Sequence, residues 1–140
     1  MWNAHTGQQI AGPFRGHSGW ICSIAFSPDG QWVVSSSDDS DVRVWDARTS
    51  VEMGSSSSHC FKGHSNLVPS VTFGPSGQWI ASGSYDGTVR IWSFGTGQDG
   101  SILGTYEATG ERIWSIALSP RGDCIVAGAY SGKIFMWKSG

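Results

Sequence analysis

Residue types that can perform hydrolytic chemistry occur twice in this chain, in the same order and at the same spacing. A histidine that activates a serine hydroxyl while a carboxylate orients the imidazole is the arrangement of a hydrolytic triad. Such a motif stays a hypothesis until its structural context is known, and an active site rarely occurs twice in one chain. The duplication favours a structural hydrogen-bonded cluster. The two sets are His17, Ser35, Asp39 and His64, Ser82, Asp86.

Both sets lie inside a longer repeat. Residues 16–46 recur at one constant offset as residues 63–93, with about half of the positions identical, and a weaker third copy covers residues 113–137. A period in the forties that starts at Gly-His and stops near Trp is typical of a four-stranded propeller blade. The chain is therefore predicted to be built from repeated blades.

The residues within each unit predict strands. Residues 21–26, 32–36 and 42–45 are short runs rich in β-branched and aromatic side chains, and a Ser-Pro-Asp-Gly turn separates the first two runs. Apolar or small residues occupy both parities of each run, as expected of a sheet that is packed on both faces. No stretch has a helical period. These features predict an all-β fold.

The order of the motifs resembles one family. Gly-His, Pro-x-Gly, Ser-x-Ser-x-Asp and Trp follow one another twice, and on these motifs nearly the whole chain resembles the WD-repeat β-propeller family. The resemblance implies blades of four antiparallel strands, each with a buried hydrogen-bonded set of His, Ser, Asp and Trp. Carried onto this sequence, the sets are His17, Ser35, Asp39, Trp45 and His64, Ser82, Asp86, Trp92.

The third copy departs from the family pattern. Ala108 and Thr109 stand in place of Gly-His, and Ser131 stands in place of the aspartate, so that only Trp137 of the set is kept. We therefore expect the third blade to be held mainly by apolar packing.

The resemblance divides the chain into an incomplete propeller of about three blades. Residues 1–15 are the end of a preceding blade, with Trp2 as its tryptophan and residues 8–14 as its outer strand. Residues 16–62 form blade one, residues 63–107 blade two, and residues 108–140 a third blade without an outer strand. Propellers carry four to eight blades, and an open arc exposes apolar faces and an unpaired edge. Either the chain is a segment of a longer propeller, which we favour, or copies associate so that one copy's outer strand completes its neighbour's third blade.

Charge and apolar patterning argue against nucleic-acid and membrane partners. The net charge is −2 and the nine Lys and Arg residues are scattered, which argues against nucleic acid. No apolar run approaches the roughly 20 residues of a membrane span. Residues 1–3 do not begin a secretion signal, which favours the cytoplasm or nucleus.

Cofactor, metal and disulfide sites are also not expected. The glycines of residues 95–100 lack the spacing of a phosphate-binding loop. Three cysteines far apart do not make a disulfide framework, and Cys60 with His59 and His64 lacks a second ligand pair for zinc. Ser55–Ser58 is predicted to be a slack surface loop, with phosphorylation as the alternative.

The resemblance also implies a binding face. In the family, partners contact the position where the Gly-His loop enters the first strand, the position two residues later, and the position before the turn aspartate. Tryptophan, tyrosine and arginine dominate binding hot spots, whereas the alternative for Trp20 and Trp114 is packing on neighbouring blades or lining the central channel. The positions are Trp20, Cys22, Asp38, Leu67, Pro69, Tyr85, Arg112, Trp114 and Tyr130.

Three classes of function remain after this reasoning. A non-catalytic scaffold that binds peptides or proteins ranks first, although fold alone makes this an analogy. A sensor or autoinhibitory array of a larger nucleotide-switch signalling protein ranks second, because the first two repeats are so similar. An enzyme ranks last.

Overall fold

Three antiparallel sheets follow one another along the chain. The computed structural model describes residues 1–10, 13–48 and 59–138. The first sheet has strand order β1-β2-β3-β4 and the second β5-β6-β7-β8, while the third contains β9-β10-β11. The strands are β1 Ile21–Phe26, β2 Trp32–Ser37, β3 Val42–Asp46, β4 Cys60–Phe61, β5 Ser70–Phe73, β6 Trp79–Gly83, β7 Thr88–Ser93, β8 Ile102–Glu107, β9 Ile113–Leu118, β10 Cys124–Ala129 and β11 Ile134–Lys138.

The all-β prediction is confirmed, and the sheets do not close into a ring. No α-helix occurs in the described ranges, and each sheet is a meander in which consecutive strands pair. The turn between β1 and β2 is fixed by a bond of 2.9 Å from the Gly30 amide to the Ser27 carbonyl. Gly30 has a φ of 72°, a left-handed conformation that glycine adopts without steric cost.

Apolar side chains fill the space between neighbouring sheets. One core lies between the first and second sheets and includes Val44, Val71 and Phe73. A second core lies between the second and third sheets and includes Ile91 and Ile116. The second sheet contributes side chains from both of its faces, so apolar residues at both parities of its strands are explained by sheet-on-sheet packing.

An aromatic pair ties the outer part of each unit to the tryptophan of the next. Phe61 on β4 stacks on Trp92 with ring centroids 5.9 Å apart, and Tyr106 on β8 lies 5.7 Å from Trp137. Phe14 lies 5.5 Å from Trp45 in the same way. Phe14, Phe61 and Tyr106 lie outside the repeated motifs, so the three pairs were not predicted.

The strand expected at residues 8–14 is shorter in the structure. Trp2 forms one antiparallel bridge with Gln9, flanked by bonds of 2.8 Å from the Asn3 amide to the Gln8 carbonyl and 3.0 Å from the Ile10 amide to the Met1 carbonyl. A strand requires a neighbour along its length, and here residues 1–3 are the neighbour that is described. Part of the expected strand, residues 11–12, lies outside the described residues.

Candidate functional site

The first His, Ser, Asp and Trp set is one hydrogen-bonded chain. The Trp45 indole N–H donates to Ser35 Oγ at 2.8 Å, and Ser35 Oγ lies 2.8 Å from His17 Nε2. His17 Nδ1 lies 2.9 Å from Asp39 Oδ2. An indole only donates and a carboxylate only accepts, so Ser35 Oγ accepts from Trp45 and the imidazole donates from Nδ1. In the neutral imidazole, Nε2 then accepts the serine hydroxyl proton. The arrangement therefore selects one histidine tautomer.

The second sheet contains the same series of hydrogen bonds, and its carboxylate accepts one further side-chain bond. The Trp92 indole lies 2.7 Å from Ser82 Oγ, which lies 2.7 Å from His64 Nε2, and His64 Nδ1 lies 2.8 Å from Asp86 Oδ2. The Thr88 hydroxyl also donates to Asp86 Oδ1 at 2.7 Å. Strands β6 and β7 supply the serine and the tryptophan, and the turn between them supplies the aspartate.

Both aspartates stay ionised because their bonds outweigh their burial. Burial acts to raise the pKa of Asp39, but bonds from the Asp41 amide, His17 and the Ser18 amide hold the pKa below its ordinary value. For Asp86 burial again acts upward, and bonds from His64 and Thr88 lower the pKa well below its usual range. Hydrogen bonds to the charged form of a carboxylate have this effect.

The geometry of these sets differs from that of a hydrolytic triad. In a triad the serine hydroxyl faces the substrate, and histidine removes its proton. Ser82 is 0% exposed and Ser35 is 5% exposed, and each oxygen accepts an indole N–H. The two sets therefore present no serine nucleophile to solvent. Each set instead joins the Gly-His loop, the second and third strands, and the turn of its own sheet.

The third sheet has a different polar link at the corresponding end. Glu111 Oε1 accepts from Lys133 Nζ at 2.6 Å, and Glu111 Oε2 accepts from the Ser131 hydroxyl at 2.5 Å. Lys133 holds the pKa of Glu111 below its ordinary value. We expected mainly apolar packing in this sheet, and Glu111 was not among the predicted residues. Glu111 stands at the position of Gly19 and Asn66, so the repeat itself gave no signal for a carboxylate.

The three residues considered for zinc have separate partners. Cys60 Sγ lies 3.2 Å from Asp41 Oδ2, and burial, followed by this bond, raises the pKa of the thiol to about 12. His59 lies 3.6 Å from Asp99, whereas His64 belongs to the buried set. Across residues 1–10, 13–48 and 59–138, no group of three His, Cys, Asp or Glu side chains is arranged to hold a metal ion.

Six of the nine predicted contact positions form a hydrogen bond that recurs in all three sheets. In each sheet the backbone amide of the residue before the turn donates to the backbone carbonyl of a residue one to three positions before the first strand. The Asp38 amide donates to the Trp20 carbonyl at 3.0 Å, Tyr85 to Leu67 at 3.0 Å and Tyr130 to Arg112 at 2.8 Å. Cys22, Pro69 and Trp114 follow two residues after the three acceptors.

The structure brings four of the nine residues together in one cluster, which we call the aromatic surface: Tyr85, Arg112, Trp114 and Tyr130. The ring centroids of Tyr85 and Trp114 are 6.1 Å apart, those of Trp114 and Tyr130 6.3 Å, and those of Tyr85 and Tyr130 6.5 Å. The Arg112 guanidinium lies 5.6 Å from the Tyr85 ring. The cluster therefore spans the second and third sheets.

The other five positions lie outside that cluster. Trp20 is 84% exposed, and Cys22 and Asp38 are exposed nearby. Burial, with the charges of Asp38 and Asp39, raises the pKa of Cys22. Leu67 and Pro69 are half-buried.

Three segments of the chain match one family model. The model, described as WD domain, G-beta repeat, matches residues 7–46, 55–93 and 100–138. Each of the last two matches runs from the outer strand of one sheet through the first three strands of the next. WD40 repeats generally serve in protein interaction. In the described part of the chain, no helix has the length and apolar character needed to cross a membrane.

Parts of three larger proteins are similar to segments of this chain. A segment of 36 residues is 56% identical to ribosome biogenesis protein bop1 of Danio rerio. A segment of 48 residues is 38% identical to apoptotic protease-activating factor 1 of Homo sapiens, and one of 50 residues is 38% identical to nuclear distribution protein PAC1 of Arthroderma benhamiae. The segments cover 26%, 34% and 36% of this chain but only 5%, 4% and 11% of those proteins. On the three family matches, the chain belongs to the WD-repeat family of G-beta repeats.

Proposed function

We propose that this chain is a non-catalytic interaction scaffold that binds an unstructured peptide or a protein loop on the aromatic surface. The proposal rests on one observation. Three aromatic rings pack together across two sheets, yet Trp114 and Tyr130 remain 56% and 71% exposed. Rings already held by one another lose little conformational freedom when a partner binds. Exposed rings of this kind are the residue types that dominate hot spots.

The charges around the aromatic surface favour a peptide over a polyanion. Arg112 is exposed and lies over Tyr85, so it can donate to a backbone carbonyl or a carboxylate of a bound chain. The whole sequence has a net charge of −2 and no basic stripe to follow a phosphate backbone. We therefore expect one or two apolar side chains between the rings and a polar contact at Arg112. We place the partner in the cytoplasm or nucleus.

A second candidate is suggested by one relative. The first two repeats are closely similar, and a segment of 48 residues is similar to 4% of a much larger protein, apoptotic protease-activating factor 1. This chain is therefore a candidate sensor or autoinhibitory part of a larger nucleotide-switch signalling protein. In that case the aromatic surface binds another part of the same protein, and a nucleotide-binding motif in the flanking sequence would distinguish the candidates.

A peptide-display selection followed by titration tests the proposal. Selected peptides should bind Trp114→Ala about 2 kcal/mol more weakly than wild type, roughly thirtyfold in Kd, with little change in Tm. Leu103→Ala is the matched control, because Leu103 is 62% exposed on the outer strand β8, and it should bind normally. Equal selection by wild type and Trp114→Ala, or selection of polyanions that salt displaces, contradicts the assignment.

A further inference from the structure

The two junctions between neighbouring sheets contain the same pair of hydrogen bonds. In the first bond, an amide at or just before the first strand of one sheet donates to a carbonyl at the end of the second strand of the sheet before it. In the second bond, an amide three residues later donates to a serine hydroxyl on the first strand of that preceding sheet. Equivalent residues of the two junctions therefore lie in equivalent places. The first bond joins Val68 to Ser37 and Ile113 to Ser84, both at 3.0 Å, and the second joins Val71 to Ser23 at 3.4 Å and Ile116 to Ser70 at 3.1 Å.

This equivalence places Asp38 at the edge of the aromatic surface. Tyr85 follows Ser84 and contacts Trp114 across the junction between the second and third sheets. Asp38 follows Ser37, so it takes the position of Tyr85 at the junction between the first and second sheets. Asp38 thus meets the second sheet where Tyr85 meets the third.

Two uncharged residues of the second sheet, Leu67 and Pro69, lie between Asp38 and the rings. They take the positions that Arg112 and Trp114 have on the third sheet, and both are half-buried. Stacked sheets pack about 10 Å apart, so the first and third sheets are about 20 Å apart, a distance that an extended chain spans in roughly six residues. One bound segment can therefore reach both Asp38 and Arg112.

The Asp38 carboxylate gives one end of this surface a negative charge. Its side chain is exposed, and no residue within the described ranges donates to the carboxylate or forms an ion pair with it. Asp39, by contrast, accepts from His17. Burial, followed by the charges of Asp38 and Asp39, raises the pKa of Cys22, so the negative charge acts on the neighbouring surface. A basic side chain of a partner would find the Asp38 carboxylate unoccupied.

The Arg112 guanidinium gives the other end a positive charge. It is exposed and lies 5.6 Å from the Tyr85 ring. Glu111, the adjacent carboxylate in the sequence, already accepts from Lys133 and Ser131. Arg112 forms no ion pair with any other carboxylate in the part of the chain that the structure describes. Its N–H donors are therefore available to a partner, and a carboxylate matches their planar geometry.

We propose that the segment bound on the aromatic surface carries a basic side chain that meets Asp38 and, roughly six residues away, an acidic side chain that meets Arg112. The apolar anchor of the segment packs on the rings. The opposite charges fix the direction in which the segment lies, because the reversed direction brings like charges together. This charge pattern rests on the proposed function, since it describes the partner of the same surface.

Peptides selected by display on the wild-type chain test this charge pattern. The selected sequences should share a basic residue roughly six positions from an acidic residue. Asp38→Asn should raise their Kd about two- to fivefold at low salt, the effect of an exposed ion pair, and less at high salt because salt screens exposed charges. Asp29→Asn is the matched control and should bind normally, because Asp29 is also exposed but lies in the turn at the opposite end of the first sheet.

A charge swap distinguishes an ion pair from a general effect of Asp38 on the surface. Asp38→Lys should bind a selected peptide more weakly than Asp38→Asn does. A peptide with glutamate in place of its basic residue should bind Asp38→Lys more tightly than it binds wild type. Peptides that depend on Trp114 but bind wild type and Asp38→Asn equally overturn the charge pattern and leave the proposed function standing. Peptides that depend on neither residue overturn both.

Discussion

Replacing His64 by alanine should destabilise the fold without affecting any chemistry. The His64 side chain is fully buried and joins Ser82 to Asp86. Its removal leaves the Ser82 hydroxyl donor without its acceptor and takes one donor from a buried carboxylate. An unsatisfied buried polar group costs about 1–3 kcal/mol, and we expect a total of about 2–3 kcal/mol.

The third sheet provides a matched control for this change. Thr109 stands at the histidine position there and is exposed, so Thr109→Ala should alter the free energy of unfolding by less than about 0.5 kcal/mol. Thermal unfolding followed by circular dichroism should show a Tm lower by roughly 6–12 °C for His64→Ala and nearly unchanged for Thr109→Ala. Equal shifts for the two variants would refute the structural role of the set.

Three further predictions concern acid stability, sheet packing and the third sheet. The pKa of Asp86 is lower in the folded state than in the unfolded state, where it is about 3.9. The ionised carboxylate therefore stabilises the fold above that unfolded value, and this stabilisation is lost as the pH falls towards the folded pKa. Urea titrations should show a smaller loss of unfolding free energy at acid pH for Asp86→Asn than for wild type. Gly83→Ala places a Cβ 2.7 Å from isoleucine methyl groups of the third sheet and should lower the free energy of unfolding in urea by about 1–3 kcal/mol. Gly128→Ala should leave the free energy of unfolding nearly unchanged, because an added Cβ there meets no atom within 4 Å. Lys133→Met should lower the urea midpoint only slightly, and less so at high salt, because Lys133 is 66% exposed beside Glu111 and solvent screens the pair.

The repeat in the sequence was enough to predict the sheets. Apolar residues at both parities, Pro-x-Gly turns and the spacing of His17 and His64 all follow from one unit that packs on its own copies. Features common to the copies are visible in the sequence because the same contacts recur at each junction. The bonds from strand amides to Ser23 and Ser70 also recur, but their role depends on which sheet faces which, and spacing alone does not specify that.

Features that occur once were not predictable in the same way. Glu111 replaces glycine or asparagine, and its partner Lys133 lies across a turn that only the folded sheet brings close. Four of the nine contact positions form the aromatic surface and five, including Trp20, do not. Which positions cluster depends on which sheet packs beside them. Tyr85 and Trp114 meet where the second and third sheets pack together, whereas no neighbouring sheet among the described residues covers Trp20.

Mapping a bound peptide by NMR shows directly whether the aromatic surface binds partners. On titration with a selected peptide, we expect the largest amide and indole shift changes at Tyr85, Arg112, Trp114 and Tyr130. Shift changes concentrated instead around Ile24 on β1, or spread evenly over the chain, would contradict the assignment of the aromatic surface as the binding site.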